Sequence, residues 1–205
     1  MNNLDSLIKH FEEFPGVGGR QARRFAFHIL TLSQSETSDI ANLILNLQAS
    51  VVECHSCHRF FSQNGGTAVL CSICSDRNRD HGKLMIVERD SDIVAIERSN
   101  VYEGLYFVLG GTIPLLTSKE HTGLRGGALK ALIEIRVAED LNEIILAFAV
   151  NPDGENTSRY VESLLKDFIS THTLKVTQLG RGLSTGSELE YADPETIKNA
   201  LLHRT

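Results

Sequence analysis

At 205 residues with 41% hydrophobic side chains, the chain is long enough to bury a core and has the ordinary composition of a globular protein. No apolar run reaches the roughly 18 residues that a membrane span needs, and the longest, Ile144 to Val150, is strand-sized. A formal charge of -6 excludes a protein that coats nucleic acid by global electrostatics. The distribution of charge says more than its sum. Pro15 to Leu30 holds Arg20, Arg23 and Arg24 and no acid, whereas residues 81–205 carry 13 Lys+Arg against 18 Asp+Glu. Any contact with DNA should therefore be local and N-terminal.

Leu4, Leu7, Ile8, Phe11 and Phe14 recur at helical spacing up to Pro15-Gly16-Val17-Gly18-Gly19, where proline and three glycines break a helix. A second helix follows, with Ala22, Phe25, Ala26, Ile29 and Leu30 as its apolar stripe. A third is expected with Ser38 as N-cap and Ile40, Leu43, Ile44 and Leu47 inward. Residues 53–80 form a cysteine module. Beyond it, strands at Lys83–Val87, Leu105–Leu109, Glu143–Val150 and Leu174–Leu179 alternate with helices at Asp92–Ser99, Gly127–Ala138 and Thr157–Ser170. Such alternation predicts an α/β fold on a parallel sheet. Asp193-Pro194-Glu195 reads as an N-cap with proline at the first helical position, opening a short terminal helix to His203.

The four cysteines lie in two knuckles, Cys54-His-Ser-Cys57 and Cys71-Ser-Ile-Cys74, with 13 residues between them. Each C-x-x-C turn presents two thiolates, and two facing turns satisfy a tetrahedral metal that takes soft ligands, so a structural Zn²⁺ is expected. Disulfides need an oxidising compartment, and the N-terminus lacks a basic flank followed by an apolar region, so a cytoplasmic chain with reduced thiols is expected. Cys54 to His58 also reads C-x-x-C-H, the haem attachment pattern, which would leave Cys71 and Cys74 unexplained. His55 and His58 are read as solvated neighbours. A closed four-thiolate shell has no open position for substrate, which makes the module a joint between the N-terminal helices and the α/β region rather than an active site.

Helix, Pro-Gly-Val-Gly-Gly, helix is the pattern of a helix-hairpin-helix. Gly16 and Gly18 let the backbone turn tightly and bare N–H groups at the start of the second helix, where the dipole favours a phosphate. Arg20 and Arg24, one turn apart, are placed to clamp the same backbone, a contact that reads shape and charge rather than sequence. A plain helical turn with solvated arginines is the competing reading, and the acid-free basic stretch favours DNA.

Glu88 follows one predicted strand and Asp153-Gly154-Glu155 another, and groups gather beyond the carboxyl ends of parallel strands. Three carboxylates on loops there suit a hard cation such as Mg²⁺. Acids after strands also start helices, as Asn156-Thr157 would, and the residues alone leave both readings open. No Ser/His/Asp set is recognisable, Gly180 to Gly186 is too loose for a phosphate-binding fingerprint, and Tyr102, Tyr106, Tyr160 and Tyr191 read as packing residues.

Taken in order, these features resemble one family, the bacterial recombination mediators called RecR. The phrases that carry the likeness are Phe14-Pro-Gly-Val-Gly with Ala26-Phe27-His28-Ile29-Leu30; Cys71-x-Ile-Cys74 with Arg79-Asp80; Ile86-Val87-Glu88; Asp92 to Glu97; Tyr102-x-Gly-x-Tyr106; Val108-Leu-Gly-Gly111; and Leu189-Glu-Tyr-Ala-Asp193. The resemblance implies four parts: a helix-hairpin-helix domain at 1–52, a zinc module at 53–80, a Toprim-like domain at 81–180 and a C-terminal assembly segment at 181–205. It implies a non-enzymatic DNA clamp in recombinational repair, a homodimer or ring-like homotetramer that works with RecO and RecF to load RecA on gapped or single-stranded DNA. Carried over by position, Arg20 and Arg24 match the hairpin's basic DNA-contacting residues, beside the turn glycines Gly16 and Gly18, and Cys54, Cys57, Cys71 and Cys74 match the zinc ligands. Glu88, Asp92, Asp153 and Glu155 match the Toprim acids, a region that also receives partners. The chain departs from the family at Phe107, where histidine is usual, at Ser184, where proline is usual, at Asp153, where glutamate is usual, and across 117–127. The rival readings are a Mg²⁺-dependent Toprim nuclease or primase-like enzyme using Glu88, Asp153 and Glu155, and a zinc-stabilised docking module without DNA affinity.

Overall fold

A computed structural model of the chain describes residues 2–63, 66–115, 123–180, 190 and 194–202. It divides into two compact units, Met1–Val52 with Ser62–Gly66, and Glu53–Phe61 with Thr67–Thr205. The first unit is helical. Its α1 (Asn3–Glu12) starts where Asn2 accepts a hydrogen bond from the Asp5 N–H at 2.8 Å. The turn that follows needs Gly16, whose φ of 76° is open to glycine at no steric cost. Helix α2 (Gly19–Ile29) then packs on α1.

The buried side chains of α2 are Ala22 and Ala26 alone, fewer than its apolar stripe suggests. Two helices touch along one line, and small residues on that line let them approach closely. Phe25 lies beside it, edge-on to Phe11 at 5.8 Å, while Leu30 is exposed.

Helix α3 (Gln34–Ser50) begins one turn earlier than the apolar pattern implies. Its N-cap is Ser33, not Ser38, because Ser33 and Glu36 form a reciprocal capping box: the Ser33 N–H donates to Glu36 at 2.8 Å and the Glu36 N–H to Ser33 Oγ at 3.3 Å. The expected inward stripe is a further correction. Ile40, Leu43, Ile44 and Leu47 are all exposed, Leu43 to 72%.

Strands β1 (Val51–Glu53) and β2 (Phe60–Ser62) form a two-stranded sheet, and α4 (Ser72–Ser75) is one short turn. The α/β region contains β3 (Asp80–Val87), α5 (Asp90–Ser99), β4 (Gly104–Val108), α6 (Gly126–Arg136), β5 (Glu143–Ala147), α7 (Pro152–His172) and β6 (Lys175–Gln178). Helix α8 (Pro194–Leu202) closes the order; its predicted cap Asp193 lies outside the described residues, as do Ser184, Tyr191 and residues 116–122.

The sheet order is β4-β3-β5-β6 and the pairings are parallel. Coverage on both faces explains the texture of β3 and β4. Leu84 to Val87 and all of β4 are buried without alternation, as parallel strands covered on both faces must be. The chain steps from β3 to β4 in one direction and from β4 to β5 and β6 in the other. Right-handed crossovers then place α5 on one face and α6 and α7 together on the opposite face, and α6 and α7 do touch. Opposite departures from neighbouring strands create a crevice beyond the carboxyl ends of β3 and β5.

Candidate metal centre and nucleic-acid interface

The first cysteine knuckle is a tight turn closed by hydrogen bonds from the His58 N–H to the Cys54 carbonyl and from the Cys54 N–H to the Arg59 carbonyl, both 2.9 Å. His58 takes φ of 60° to complete it. In the second knuckle Cys71 caps α4 and Cys74 rides on it. The two are tied by the His55 N–H on the Val69 carbonyl at 3.0 Å. All four Sγ atoms fall within 4.8 Å of one another, and Cys57 and Cys71 approach to 3.6 Å. A tetrahedron with metal–sulfur bonds of about 2.3 Å has sulfur–sulfur edges of about 3.8 Å. The quartet can therefore hold a metal ion with little movement. Crowding sets the thiols against each other: the hydrogen bond with Cys57 drives Cys54 far below an ordinary thiol, and the same bond drives Cys57 far above. A bound cation would remove that conflict by stabilising every thiolate at once.

The knuckle is anchored to the sheet. The Val108 N–H, at the end of β4, donates to the Cys57 carbonyl at 2.8 Å. Glu53 Oε1 meets His58 Nδ1 at 2.5 Å and accepts from Arg125 Nε at 3.1 Å. His58 is thus a half-buried partner of Glu53 rather than a solvated neighbour, and Phe107 lies edge-on to its ring at 5.2 Å. Sequence reasoning missed Glu53 and Arg125. They belong to no motif and stand 72 positions apart, so only the fold brings them together.

The acids behave differently from the cysteines. Glu88 follows β3 and pairs with Arg89 at 2.6 Å. Asp92 Oδ2 accepts from the Arg89 N–H at 2.8 Å, a helix-capping contact. Asp153 and Glu155 are not on a loop: they occupy the first turn of α7, which begins after the Asn151 cap and Pro152. Asp153 accepts from the Leu115 N–H at 2.9 Å, and Glu155 faces Arg159 at 3.8 Å. Among the described residues, the four cysteines form the single group of three or more such side chains close enough for one ion. Asp92 is thus a capping group and Asp153 an anchoring one, while Glu88 and Glu155 face neighbouring arginines.

On α2, Arg20, Arg23 and Arg24 are exposed, and among the described residues no carboxylate forms an ion pair with them. With Gln21, Phe25, Phe27, His28 and Thr31 they line an open concavity of about 850 Å³. Gly18 is the N-cap and supplies no side-chain oxygen to the first turn, so its amides keep their partial positive charge for a ligand. Among the described residues, no helix is long and apolar enough to cross a membrane.

Comparison with known proteins agrees with this layout. The chain matches the family description "RecR, helix-hairpin-helix" over residues 4–47, "Toprim domain" over 82–179 and "RecR, C-terminal" over 182–205. It is 34% identical to "Recombination protein RecR" of Staphylococcus saprophyticus over 202 residues, which is 98% of this chain and 96% of that protein. The protein of the same name from Lactobacillus acidophilus is 34% identical over 97% of this chain and 94% of its own length. That from Prochlorococcus marinus is 35% identical over 98% and 95%. Likeness at this level along nearly the whole length, with the helix-hairpin-helix, Toprim and C-terminal matches in that order, makes the chain a member of the RecR family of recombination proteins.

Proposed function

We propose that the protein is a non-enzymatic, sequence-nonspecific DNA-binding scaffold in recombinational repair, acting with RecO and RecF in the cytoplasm to promote RecA loading on gapped or single-stranded DNA. The observation that carries this reading is the face of α2: three exposed arginines with no acidic partner among the described residues, directly after a glycine turn. Gly16 and Gly18 shape the turn, and Arg20 and Arg24 hold the phosphates. Zn²⁺ is the ion suited to four cysteine thiolates, held by Cys54, Cys57, Cys71 and Cys74, where it supplies a cross-link and no open coordination position. Glu88, Asp92, Asp153 and Glu155 form an acidic rim for basic partners. Their capping and anchoring bonds support binding over metal-dependent chemistry. The division into parts at 1–52, 53–80, 81–180 and 181–205 goes with these roles.

A homodimer or ring-like homotetramer is supported by α3. Ile40, Leu43, Ile44 and Leu47 make an exposed stripe at i, i+3, i+4 and i+7, which a second copy would cover. Light scattering on wild type and Leu43→Asp should show the variant dissociating, and a wild type that stays monomeric at high concentration with DNA present refutes the clamp.

The DNA reading is tested by Arg20→Ala with Arg24→Ala. Binding to unrelated sequences should weaken alike, and the slope of log affinity against log salt should flatten by about 1.4 to 1.8, as losing two phosphate contacts requires. Unchanged binding refutes the assignment.

A further inference from the structure

Helix α2 has two opposed faces. At about 100° per residue, Ala22, Phe25, Ala26 and Ile29 fall on one side, and Arg20, Arg23, Arg24, Phe27, His28 and Thr31 within an arc of about 140° on the other. The first side is the packed one: both alanines are buried and Phe25 lies edge-on to Phe11. The second is open, and Phe27 sits in its middle, 55% exposed, making no ring contact among the described residues. Phe25 and Phe27 are two positions apart and do different things. Phe25 packs on Phe11 and only borders the concavity, whereas Phe27 presents a bare aromatic ring there among the arginines.

An apolar protein partner fits this face poorly, because covering Phe27 would also bury three arginines without counter-charges. A ligand that alternates negative charge with flat apolar surface fits it well. Single-stranded DNA is such a ligand, since every nucleotide brings one phosphate and one base with two free π-faces. In a duplex those faces are already stacked, so the ring would gain little there.

We propose that α2 presents Phe27 as a base-stacking platform for single-stranded DNA, with Arg20, Arg23 and Arg24 holding the flanking phosphates. This rests on the reading of α2 as the DNA-contacting helix and adds to it the strand preference and the group that confers it. Phosphate contacts alone treat single strands, base-free strands and duplex alike in kind. A stacking ring discriminates among them.

The experiment measures anisotropy of labelled oligo(dT), a base-free strand of equal length, and a duplex. Wild type should favour oligo(dT) over the base-free strand. Phe27→Ala should lower affinity for oligo(dT) about 5- to 100-fold and leave the base-free strand and the duplex within twofold, whereas Phe27→Tyr should bind as wild type does. Arg20→Ala with Arg24→Ala should weaken all three ligands. If the arginine variant loses binding while Phe27→Ala keeps its oligo(dT) affinity, the stacking platform is wrong and the DNA-binding helix stands. If neither variant changes anything, both fail. Equal losses on duplex and single strand overturn the platform as well. A second readout does not depend on Phe27→Ala folding. The chain has no tryptophan, so Phe27→Trp installs a unique fluorophore, whose emission should be quenched by saturating oligo(dT) and not by the base-free strand. Emission unchanged by oligo(dT) overturns the proposal.

Discussion

Glu97 is where three separated stretches of the α/β unit meet. Arg79 Nη1 donates to Glu97 Oε1 at 2.9 Å, and Arg79 Nη2 also bonds the carboxylate. The same guanidinium reaches the carbonyls of Tyr102 and Gly104 at 3.3 Å, and the Tyr106 hydroxyl donates to Glu97 Oε1 at 2.7 Å. Burial pushes the Glu97 carboxyl up, and its bonds to Arg79 and Tyr106 outweigh that and hold it below the usual carboxylate value. Burial likewise raises the Tyr106 hydroxyl, with Glu97 reinforcing the shift, so it serves as a donor and not as a nucleophile. A carboxyl lowered on folding contributes stability above its ordinary value of 4.5, and that contribution is lost as pH falls through the lower folded value. Tyr106→Phe should therefore cost about 1.5 kcal/mol at pH 7, with the penalty shrinking as pH falls below the ordinary carboxylate value of 4.5. Urea denaturation across that range checks it, and a penalty independent of pH would assign the loss to packing alone.

At the level of elements, the start of α7 is the most constrained junction of the sheet. A Cβ on Gly154 would run into the Ala149 carbonyl oxygen, a backbone atom that cannot yield as a side chain does. Thr157, wholly buried, accepts from the Ile113 N–H at 2.8 Å and donates to the Asp153 carbonyl at 2.6 Å, while Asn156 donates to the Ile113 carbonyl at 3.2 Å. The first two turns of the helix thereby pin residues 113–115, with Asp153 as the outermost clasp. Gly154→Ala should destabilise the fold by about 3 kcal/mol, through displacement of α7 rather than loss of a contact. Thermal unfolding measures the loss. A change under about 0.5 kcal/mol would mean that α7 shifts freely.

For the whole molecule, the cysteine quartet has a definite place: all four residues lie in the unit that carries the α/β sheet. Cys57 is bonded to the end of β4, and Glu53 links the knuckle to Arg125 just before α6. Removing the metal should thus disturb the sheet edge first. A strong chelator should release about one ion per chain, and hydrogen exchange should accelerate at 53–75 and along β4, with the amides of α1 and α2 unaffected. Uniform acceleration would mean that the ion stabilises both units. Because the ligands are thiolates, retention should weaken as pH falls and protons compete for sulfur.

Much of this protein was legible before folding was considered, wherever the chemistry is local. The two C-x-x-C turns, the glycine break at Gly16, the basic run from Arg20 to Arg24 and the strand–helix alternation all depend on neighbours in sequence. The Ser33–Glu36 box was equally local and was obscured by the more conspicuous apolar stripe of α3. Long-range geometry decided the rest. Glu88 and Asp153 look alike as acids after strands; Glu88 pairs with its sequence neighbour Arg89, whereas only the tertiary structure brings Asp153 to the Leu115 amide. Phe25 and Phe27 are the same residue type, and the packing of α1 on one side of α2 is what gives the first ring an edge contact with Phe11 and leaves the second more exposed, with no ring contact among the described residues. The residue pattern determined which groups the chain possesses and the local turns that aim them. Which groups meet, and which stay free for a ligand, was settled by the fold, because pairing across tens of residues depends on topology and burial rather than on spacing.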